Sequence, residues 1–235
     1  MDAILQVDNL TKQYTDFKLD HVSFSVPKGT IMGLIGENGA GKSTTINAIL
    51  DLIRKDDGVV TFWGQELASS KQLKEDIGVV FDGINFYETL TPAKVGKIAG
   101  AAYKQWDAHL FQNYLNRFQL PTDKEIKSLS KGMKMKLCIA VALSHKPKLL
   151  ILDEATSSVD TRTEIQIQKA MDTLMKGRTS FVIAHRLSTI RDANMILVMK
   201  DGDIVEQGNH EELIAKNGFY AELYNSQFEK ATSCA

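Results

Sequence analysis

The sequence has little of three things: cysteine, net charge and long apolar runs. Its 235 residues include only two cysteines, Cys138 and Cys234, so no disulfide framework is expected and a reducing compartment fits. A formal net charge of −1 at pH 7 gives no electrostatic reason to expect nucleic acid or an anionic membrane surface as partner. The longest apolar runs, such as MILVM at 195–199, are far shorter than the roughly 20 residues that cross a bilayer. The N-terminal segment also lacks the basic and apolar stretches of a signal peptide.

What the sequence does contain is a series of short apolar runs separated by turn residues and helical periods. Nine runs predict strands, at residues 4–7, 22–26, 31–36, 59–64, 77–81, 149–152, 180–184, 195–199 and 203–208. Two sets of apolar residues recur at helical spacing: Ile46, Ile49, Leu50 and Ile53, and Ile167, Met171 and Leu174. The pairs Asp57-Gly58 and Asp201-Gly202 predict turns between strands.

The stretch 84–145 differs because no convincing strand interrupts it. One predicted helix carries an apolar stripe of Leu110, Phe111, Tyr114, Leu115 and Phe118. A second should begin near Ser130. The sequence therefore predicts a single α/β domain, with a core of residues 1–83 and 146–235 and a helical subdomain at 84–145. A mainly parallel central sheet and an antiparallel N-terminal β portion are expected.

The strongest motif is GENGAGKST at residues 36–44, which fits the phosphate-binding loop pattern G-x-x-x-x-G-K-[ST]. It lies between a predicted strand and a predicted helix, the context that this loop requires, so a chance glycine-rich turn is a poor alternative. Its glycines let backbone N–H groups turn toward phosphates at a helix N-terminus. Lys42 should reach the β- and γ-phosphates, Ser43 should ligate Mg²⁺, and Thr44 should hold a phosphate oxygen. The predicted nucleotide-binding positions here are Gly36, Asn38, Gly39, Ala40, Gly41, Lys42, Ser43 and Thr44.

A second motif, LLILDE, ends a predicted strand on two acids, Asp153 and Glu154. In nucleotide hydrolases with a phosphate-binding loop, a strand of this kind ends in an aspartate that holds Mg²⁺, often through water. Asp153 fits that role. Glu154, one residue further on, is placed to polarise the attacking water. The alternative for Glu154 is an ordinary surface acid.

With LSKGM at 129–133, the motifs together resemble the ATP-binding cassette (ABC) ATPases, whose signature motif is LSGGQ. LSKGM opens a helix about 20 residues before the Asp-Glu pair, as in that family. Ser130 is a good N-cap residue, and a helix N-terminus can bind the γ-phosphate of a nucleotide held by another subunit. The resemblance implies that Ser130 and Gly132 contact such a nucleotide. The alternative is an ordinary capped helix.

Other family positions are implied residue by residue. Tyr14 matches the aromatic that stacks on adenine, although alone it would be read as a core tyrosine. His185 matches the histidine that contacts the γ-phosphate. Ser157, Ser158 and Asp160 match the loop that faces the partner subunit. Asp82 stands where the family usually has a glutamine near Mg²⁺ or the attacking water.

Three residues depart from the family pattern. Asp82 adds negative charge beside the phosphates and cannot donate a hydrogen bond when ionised. Lys131 replaces the first signature glycine, and Met133 replaces the signature glutamine. We expect these departures to reduce turnover more than nucleotide binding.

The resemblance implies an ATPase that uses ATP and Mg²⁺ and works as a homodimer formed on ATP binding. Glu154, His185 and Lys42 would be catalytic, and Ser43, Asp153 and Asp82 would serve the metal. A separate transmembrane subunit would hold the chain at the cytoplasmic face of a membrane; no nucleic-acid partner is expected. The main alternative is an ATP-binding module with weak or no hydrolysis and no transport role. DNA-repair or translation ATPases and small-molecule kinases fit the motifs less well.

Two parts of the chain resemble different branches of the family. Residues 1–156 resemble separate ATPase subunits of bacterial drug or antibiotic exporters, whereas 157–235 resemble exporters whose ATPase is fused to its transmembrane domain. This difference suggests a recombinant of two family members joined near residues 153–157. The alternative is one natural subunit with mixed features.

Overall fold

The computed structural model describes residues 2–81, 86–153, 175, 177–184 and 186–232. These residues contain nine strands, which are β1 Ala3–Gln13, β2 Lys18–Pro27, β3 Ile31–Gly36, β4 Asp57–Phe62, β5 Ile77–Val80, β6 Leu149–Asp153, β7 Thr179–Ile183, β8 Met195–Lys200 and β9 Asp203–Gly208. They also contain eight α-helices, which are α1 Lys42–Ile49, α2 Lys71–Glu75, α3 Pro92–Ala102, α4 Ala108–Arg117, α5 Lys131–Ser144, α6 Leu187–Ile190, α7 His210–Lys216 and α8 Phe219–Thr232. All nine predicted strands are observed, with ends that shift by at most six residues, the largest shift being at the end of β1. The helical set Ile167, Met171 and Leu174 lies outside the described residues.

The chain divides into two compact units. The first comprises residues up to Lys71 and from Arg178 onward. It contains an antiparallel sheet in the order β2-β1-β4, and the strands β7-β3-β8-β9, of which β7, β3 and β8 run parallel. The second unit, Gln72–Gly177, contains the parallel pair β5-β6 and helices α3, α4 and α5. The predicted functional division at residues 83/84 and 145/146 stays a prediction.

The centre of the first unit is built from strands whose middle residues are apolar and buried. In β3, four consecutive residues from Met32 to Ile35 are buried, and in β8 so are the four from Ile196 to Met199. Leu34 pairs with Ile183 of β7 on one side and with Leu197 of β8 on the other. Continuous apolar runs are typical of parallel strands covered on both faces. The carboxyl end of β3, where the loop at 37–41 begins, is therefore anchored between two neighbours.

The two Asp-Gly pairs adopt different structures. Asp201 and Gly202 have φ values of 48° and 86° and form a two-residue connection between β8 and β9, as predicted. The prediction for Asp57-Gly58 is wrong, because these residues begin β4 at an irregularity in its pairing with β1. Gly58 has a φ of 94°, and a Cβ there would lie 2.5 Å from the carbonyl oxygen of Asn9. The glycine thus serves a bulge beside a neighbouring strand.

Helix α1 is shorter than its apolar period predicts. The period extends to Ile53, yet the helix ends at Ile49 because Asp51 adopts a left-handed conformation with φ 55°. The N–H of Leu52 donates to the carbonyl of Asn47 at 2.8 Å, and the N–H of Asp51 donates to that of Ala48 at 3.3 Å. This is the Schellman arrangement, which satisfies the last carbonyls of a helix and stops it.

The second unit has a helical core that the sequence predicts well. Phe111, Tyr114 and Leu115 of α4 are buried, as the apolar stripe requires. Helix α3 packs on them through Gly96, where a Cβ would meet the ring of Phe111. Helix α5 begins after Ser130, as predicted. Among the described residues, no helix is both long enough and apolar enough to cross a membrane.

A buried polar group precedes β5 and β6 in the second unit. The Nδ1–H of His145 donates to the carbonyl of Glu75 at 3.0 Å, and the imidazole stacks on Tyr103 with 4.2 Å between ring centroids. Asp76 accepts a hydrogen bond from the ammonium of Lys148 at 2.8 Å. Burial lowers the pKa of His145, because desolvation penalises its charged form.

Candidate functional site

The loop at residues 37–41 connects β3 to α1 in the first unit. Gly39 and Gly41 have φ values of 87° and 109°, which L side chains rarely adopt. Gly41 is the N-cap of α1, and within the described chain no side chain caps the helix and no acid lies in its first turn. The helix dipole favours negative charge at this end, so an anion is a suitable ligand for the start of α1.

The glycines of the loop are also needed for close packing. A Cβ at Gly36 would collide with the carbonyl oxygen of Met199 in β8. A Cβ at Gly41 would lie 2.8 Å from Cζ of Phe17. The carbonyl of Ala40 accepts a hydrogen bond from the N–H of Gly202 at 3.0 Å. The loop is thus seated on β8, on the β8–β9 turn and on the segment that joins β1 to β2.

Lys42 points its ammonium group back into the loop. The residue is only 5% exposed, and Nζ donates to the carbonyl oxygens of Gly36 and Glu37, both at 2.8 Å. A buried ammonium at the N-terminus of a helix is suited to bind phosphate oxygens. Ser43 is exposed and Thr44 is half-buried, so the hydroxyl-bearing residues of this turn lie at the surface of the same site.

Thr45 is a supporting residue that the sequence analysis missed. It is fully buried, and its hydroxyl donates to the carbonyl of Gly41 at 3.0 Å. This bond joins Thr45 to Gly41 of the loop and stabilises the first turn of α1. A hydroxyl residue four positions after a glycine N-cap is a weak signal, because Ser and Thr bond to preceding carbonyls in many helices.

Tyr14 lies at the turn between β1 and β2. It is 43% exposed, so the reading as a core tyrosine is wrong. Its N–H donates to the carbonyl of Phe17 at 2.8 Å, and the two ring centroids are 6.5 Å apart. The ammonium of Lys12 lies 5.6 Å from the Tyr14 ring centroid and is paired with Asp56 at 3.0 Å. Through Phe17, which reaches Gly41, the structure brings Tyr14 close to the phosphate-binding loop.

The other predicted residue of the first unit, His185, lies outside the described residues. The preceding residue, Ala184, donates its N–H to the carbonyl of Leu34 at 2.9 Å. The carboxyl ends of β7 and β3 therefore lie side by side. In open α/β sheets, ligands bind at the carboxyl ends of parallel strands.

In the second unit, Asp153 is the last residue of β6 and is half-buried. Leu152 pairs with Val80 of the parallel strand β5, so both strands end at the same edge. Asp82 and Glu154, together with Ser157, Ser158 and Asp160, are outside the described residues.

The LSKGM segment, also in the second unit, forms the predicted helix start. The hydroxyl of Ser130 accepts a hydrogen bond from the N–H of Met133 at 3.2 Å, which makes Ser130 the N-cap of α5. Ser130 and Lys131 are exposed, whereas Leu129 and Gly132 are buried. The first turn of α5 carries no acid. Its N-terminus is therefore exposed and electropositive, as an anion-contacting helix requires.

Comparison with known proteins then decides the family. The profile of the family described as "ABC transporter" matches residues 19–157, which is more than half of the chain. The chain belongs to the ABC transporter family. ABC proteins of this family are ATPases, and their ATPase domain binds ATP.

Individual ABC relatives match along almost the whole chain. An uncharacterized ABC transporter ATP-binding protein of Bacillus subtilis, YfiC, is 39% identical over 90% of this chain and 37% of its own length. An ATP-dependent lipid A-core flippase of Vibrio parahaemolyticus is 39% identical over 89% of this chain and 38% of its own. One of Pseudomonas fluorescens is 41% identical over 93% of this chain and 39% of its own. The chain thus spans about two fifths of the length of these relatives.

Solved ABC structures share the fold. An ATP-binding subunit of an ABC transporter aligns with a TM-score of 0.82 and 27% identity, covering 95% of this chain and 98% of that one. A bacterial Atm1-family ABC exporter with ATP bound aligns with a TM-score of 0.79 and 31% identity, covering 95% of this chain and 41% of that one. The predicted fold class, an ABC nucleotide-binding domain with an antiparallel β portion and a helical portion, is confirmed.

Proposed function

We propose that this chain is the ATP-binding and ATP-hydrolysing part of an ABC-type exporter and works as a nucleotide-sandwich dimer. The observation that carries the proposal is the loop at 36–44, where Lys42 is buried with its ammonium on the loop and no side chain caps the N-terminus of α1. These groups suit the β- and γ-phosphates of ATP. Thr44 would add a hydroxyl contact to a phosphate oxygen.

The side chains that we propose as metal ligands carry the oxygen atoms that Mg²⁺ prefers. Ser43 offers an exposed hydroxyl in the first turn of α1, and Asp153 offers a half-buried carboxylate at the end of β6. Asp82 would add a second carboxylate. Mg²⁺ prefers oxygen ligands of this kind, and when bound it would neutralise charge on the β- and γ-phosphates.

In the proposed hydrolysis, Glu154 orients and polarises the water that attacks the γ-phosphorus. Lys42 and His185 stabilise the charge that spreads over the γ-phosphoryl oxygens as the bond to the leaving ADP breaks. Such preorganised charges are usually the largest contribution to catalysis of this type. Because Asp82 replaces a neutral amide and Met133 loses a polar contact, we expect slow turnover.

Two copies of the chain would complete each other's sites. In each site, Lys42 would come from one copy, and Ser130 and Gly132 from the other. The exposed Ser130 at the start of α5 and the absence of an acid from that first turn support this arrangement. ATP would then join the copies, and hydrolysis would separate them.

Transport would need a transmembrane partner. The lipid A-core flippases named above are ATP-dependent, and this chain matches only 38% to 39% of their length. We propose that a separate transmembrane subunit holds the chain at the cytoplasmic face of a membrane and couples ATP-driven closure to export. No nucleic acid takes part in this proposal.

The test compares the purified chain with its Glu154→Gln variant. We expect steady-state phosphate release from the unchanged chain and almost none from the variant, together with an ATP-dependent dimer of the variant in light scattering. Equal phosphate release from both would remove Glu154 from the mechanism. If the unchanged chain and the variant both bind ATP but stay monomeric and inactive, the result would favour an ATP-binding module without hydrolysis. The replacement of the usual glutamine by Asp82 supports that alternative.

The proposal also includes a composite origin, with residues 1–156 and 157–235 from two family members. The matches described above run through residues 153–157, so they do not separate the two parts. The test is to compare each part alone with natural chains. A single natural chain that matches residues 1–235 along the full length would contradict a composite origin.

A further inference from the structure

Phe17, in the segment between β1 and β2, lies between two parts of the proposed nucleotide site, the base-binding Tyr14 and the phosphate-binding loop. This inference rests on the proposed ATP binding at the 36–44 loop. One end of the connection is Tyr14, the candidate base platform, whose ring centroid lies 6.5 Å from that of Phe17; a backbone hydrogen bond of 2.8 Å from the Tyr14 N–H to the Phe17 carbonyl also joins the two residues. The other end is Gly41, over which the Phe17 ring lies so closely that a Cβ on Gly41 would come within 2.8 Å of Cζ.

The contact with Gly41 is part of a packed apolar seat. On the same side of Gly41 lie Leu19 and Met199, each with an atom 3.4 Å from the position that a Cβ would take. Leu19 is fully buried in β2, and Met199 is fully buried in β8. Phe17 itself is half-buried. Phe17, Leu19 and Met199 thus all pack around Gly41.

Tyr14 has two supports that orient its exposed ring. The Phe17 ring centroid lies 6.5 Å away, with a tilt of 34° between the ring planes. The Lys12 ammonium lies 5.6 Å from the Tyr14 centroid and is itself held by Asp56. Lys12 belongs to β1 and Asp56 precedes β4, whereas Phe17 also approaches Gly41 of the loop.

We infer that Phe17 is a positioning residue that sets the distance between the base platform Tyr14 and the phosphate-binding loop. A nucleoside triphosphate must bridge these two points, with its phosphates at Gly41 and Lys42 and its base at Tyr14. Inorganic tripolyphosphate has no base and needs only the loop. Loss of Phe17 should therefore weaken a nucleotide but not a bare polyphosphate.

The experiment measures ATP hydrolysis and its inhibition by tripolyphosphate in the full chain. In Phe17→Ala we expect the KM for ATP to rise roughly fivefold to tenfold, as loss of a partly buried aromatic contact implies, with kcat almost unchanged. The inhibition constant of tripolyphosphate should stay as in the unchanged chain. Phe17→Leu, which keeps apolar volume over Gly41, should restore most of the affinity for ATP.

A double variant tests whether Phe17 acts through Tyr14. The KM of Tyr14→Ala/Phe17→Ala should hardly exceed that of Tyr14→Ala, because without the platform there is nothing left to position. The inference would be overturned if the increases in KM of the two single variants multiply in the double variant. It would also be overturned if Phe17→Ala weakens the binding of ATP and of tripolyphosphate equally. An unchanged KM in Phe17→Ala would overturn it while leaving ATP binding intact. If the unchanged chain binds no ATP, the proposed function fails as well.

Discussion

Lys42 and Gly36 are joined across the phosphate-binding loop by a hydrogen bond of 2.8 Å from the ammonium nitrogen to the carbonyl oxygen. The same ammonium group reaches the carbonyl of Glu37 at 2.8 Å. The lysine therefore holds both ends of the turn together while it lies at the position where phosphates are expected. The Lys42 side chain thus supports the conformation of the loop, and in the proposed function it also binds the phosphates.

Lys42→Ala should abolish most of the affinity for ATP. Hydrogen bonds to charged groups contribute about 1.5–3 kcal/mol each, so a loss of tenfold to several hundredfold is expected. Calorimetric titration with ATP measures it. Lys200→Ala is the matched control, since its ammonium lies 4.6 Å from the Phe219 ring centroid and outside the loop. Equal affinities in the two variants would contradict the role of Lys42.

Ser130→Ala should lower ATPase activity by more than its effect on stability explains. The hydroxyl caps α5, and loss of such a cap costs about 1 kcal/mol. Thr91→Ala removes the equivalent cap from α3 in the same unit and should cost a similar amount. Thermal unfolding and phosphate release are measured for both. If the two variants lose the same activity, Ser130 serves only as a cap.

Gly202→Ala should destabilise the protein more than Gly64→Ala. Both glycines have positive φ, 86° and 75°, so both variants incur backbone strain of about 1 kcal/mol or more. A Cβ at Gly202 would also meet the carbonyl oxygen of Lys18, whereas nothing lies within 4 Å of one at Gly64. Denaturant unfolding compares the two. Equal losses would mean that the β8–β9 turn can move away from β2.

Stability should fall between about pH 7.5 and 5.5 because of His145. Burial lowers its pKa below the ordinary value of 6.5, so in this range the unfolded chain takes up a proton that the folded chain resists. The neutral imidazole of His145 makes its full contribution to stability above the pKa of histidine in the unfolded chain. That contribution is lost as the pH falls below this pKa. Glu75 and Asp76 oppose the shift but do not reverse it.

The measurement is the unfolding midpoint of the unchanged chain and of His145→Gln at both pH values. The variant should be less stable at pH 7.5 and show a smaller fall toward pH 5.5. The carboxylates whose pKa is lowered, Asp20, Asp56, Asp107 and Glu125, lose their contributions only at lower pH, below 3.8 for the aspartates and 4.5 for the glutamate. An identical pH dependence in both proteins would rule out His145 as its source.

Local patterns predicted much of the fold and the phosphate-binding loop. Apolar runs such as residues 31–36 form strands that neighbouring parallel strands and both faces of the sheet bury, and Gly39 and Gly41 have the positive φ that their loop needs. The roles of Glu154, His185 and Asp82 stay predictions. Phe17 was missed, because its contact with Gly41 joins residues 24 positions apart in the sequence.

The two Asp-Gly pairs separate what sequence alone determined from what tertiary structure decided. In both pairs the chain specifies a residue that tolerates positive φ, and both glycines adopt it. At Gly202 the flanking strands pair with each other, so the dipeptide forms a turn. At Gly58 the following strand pairs with β1, far away in sequence, so the same dipeptide begins a strand at a bulge. The backbone freedom is local, but the hydrogen-bond partners that use it are not.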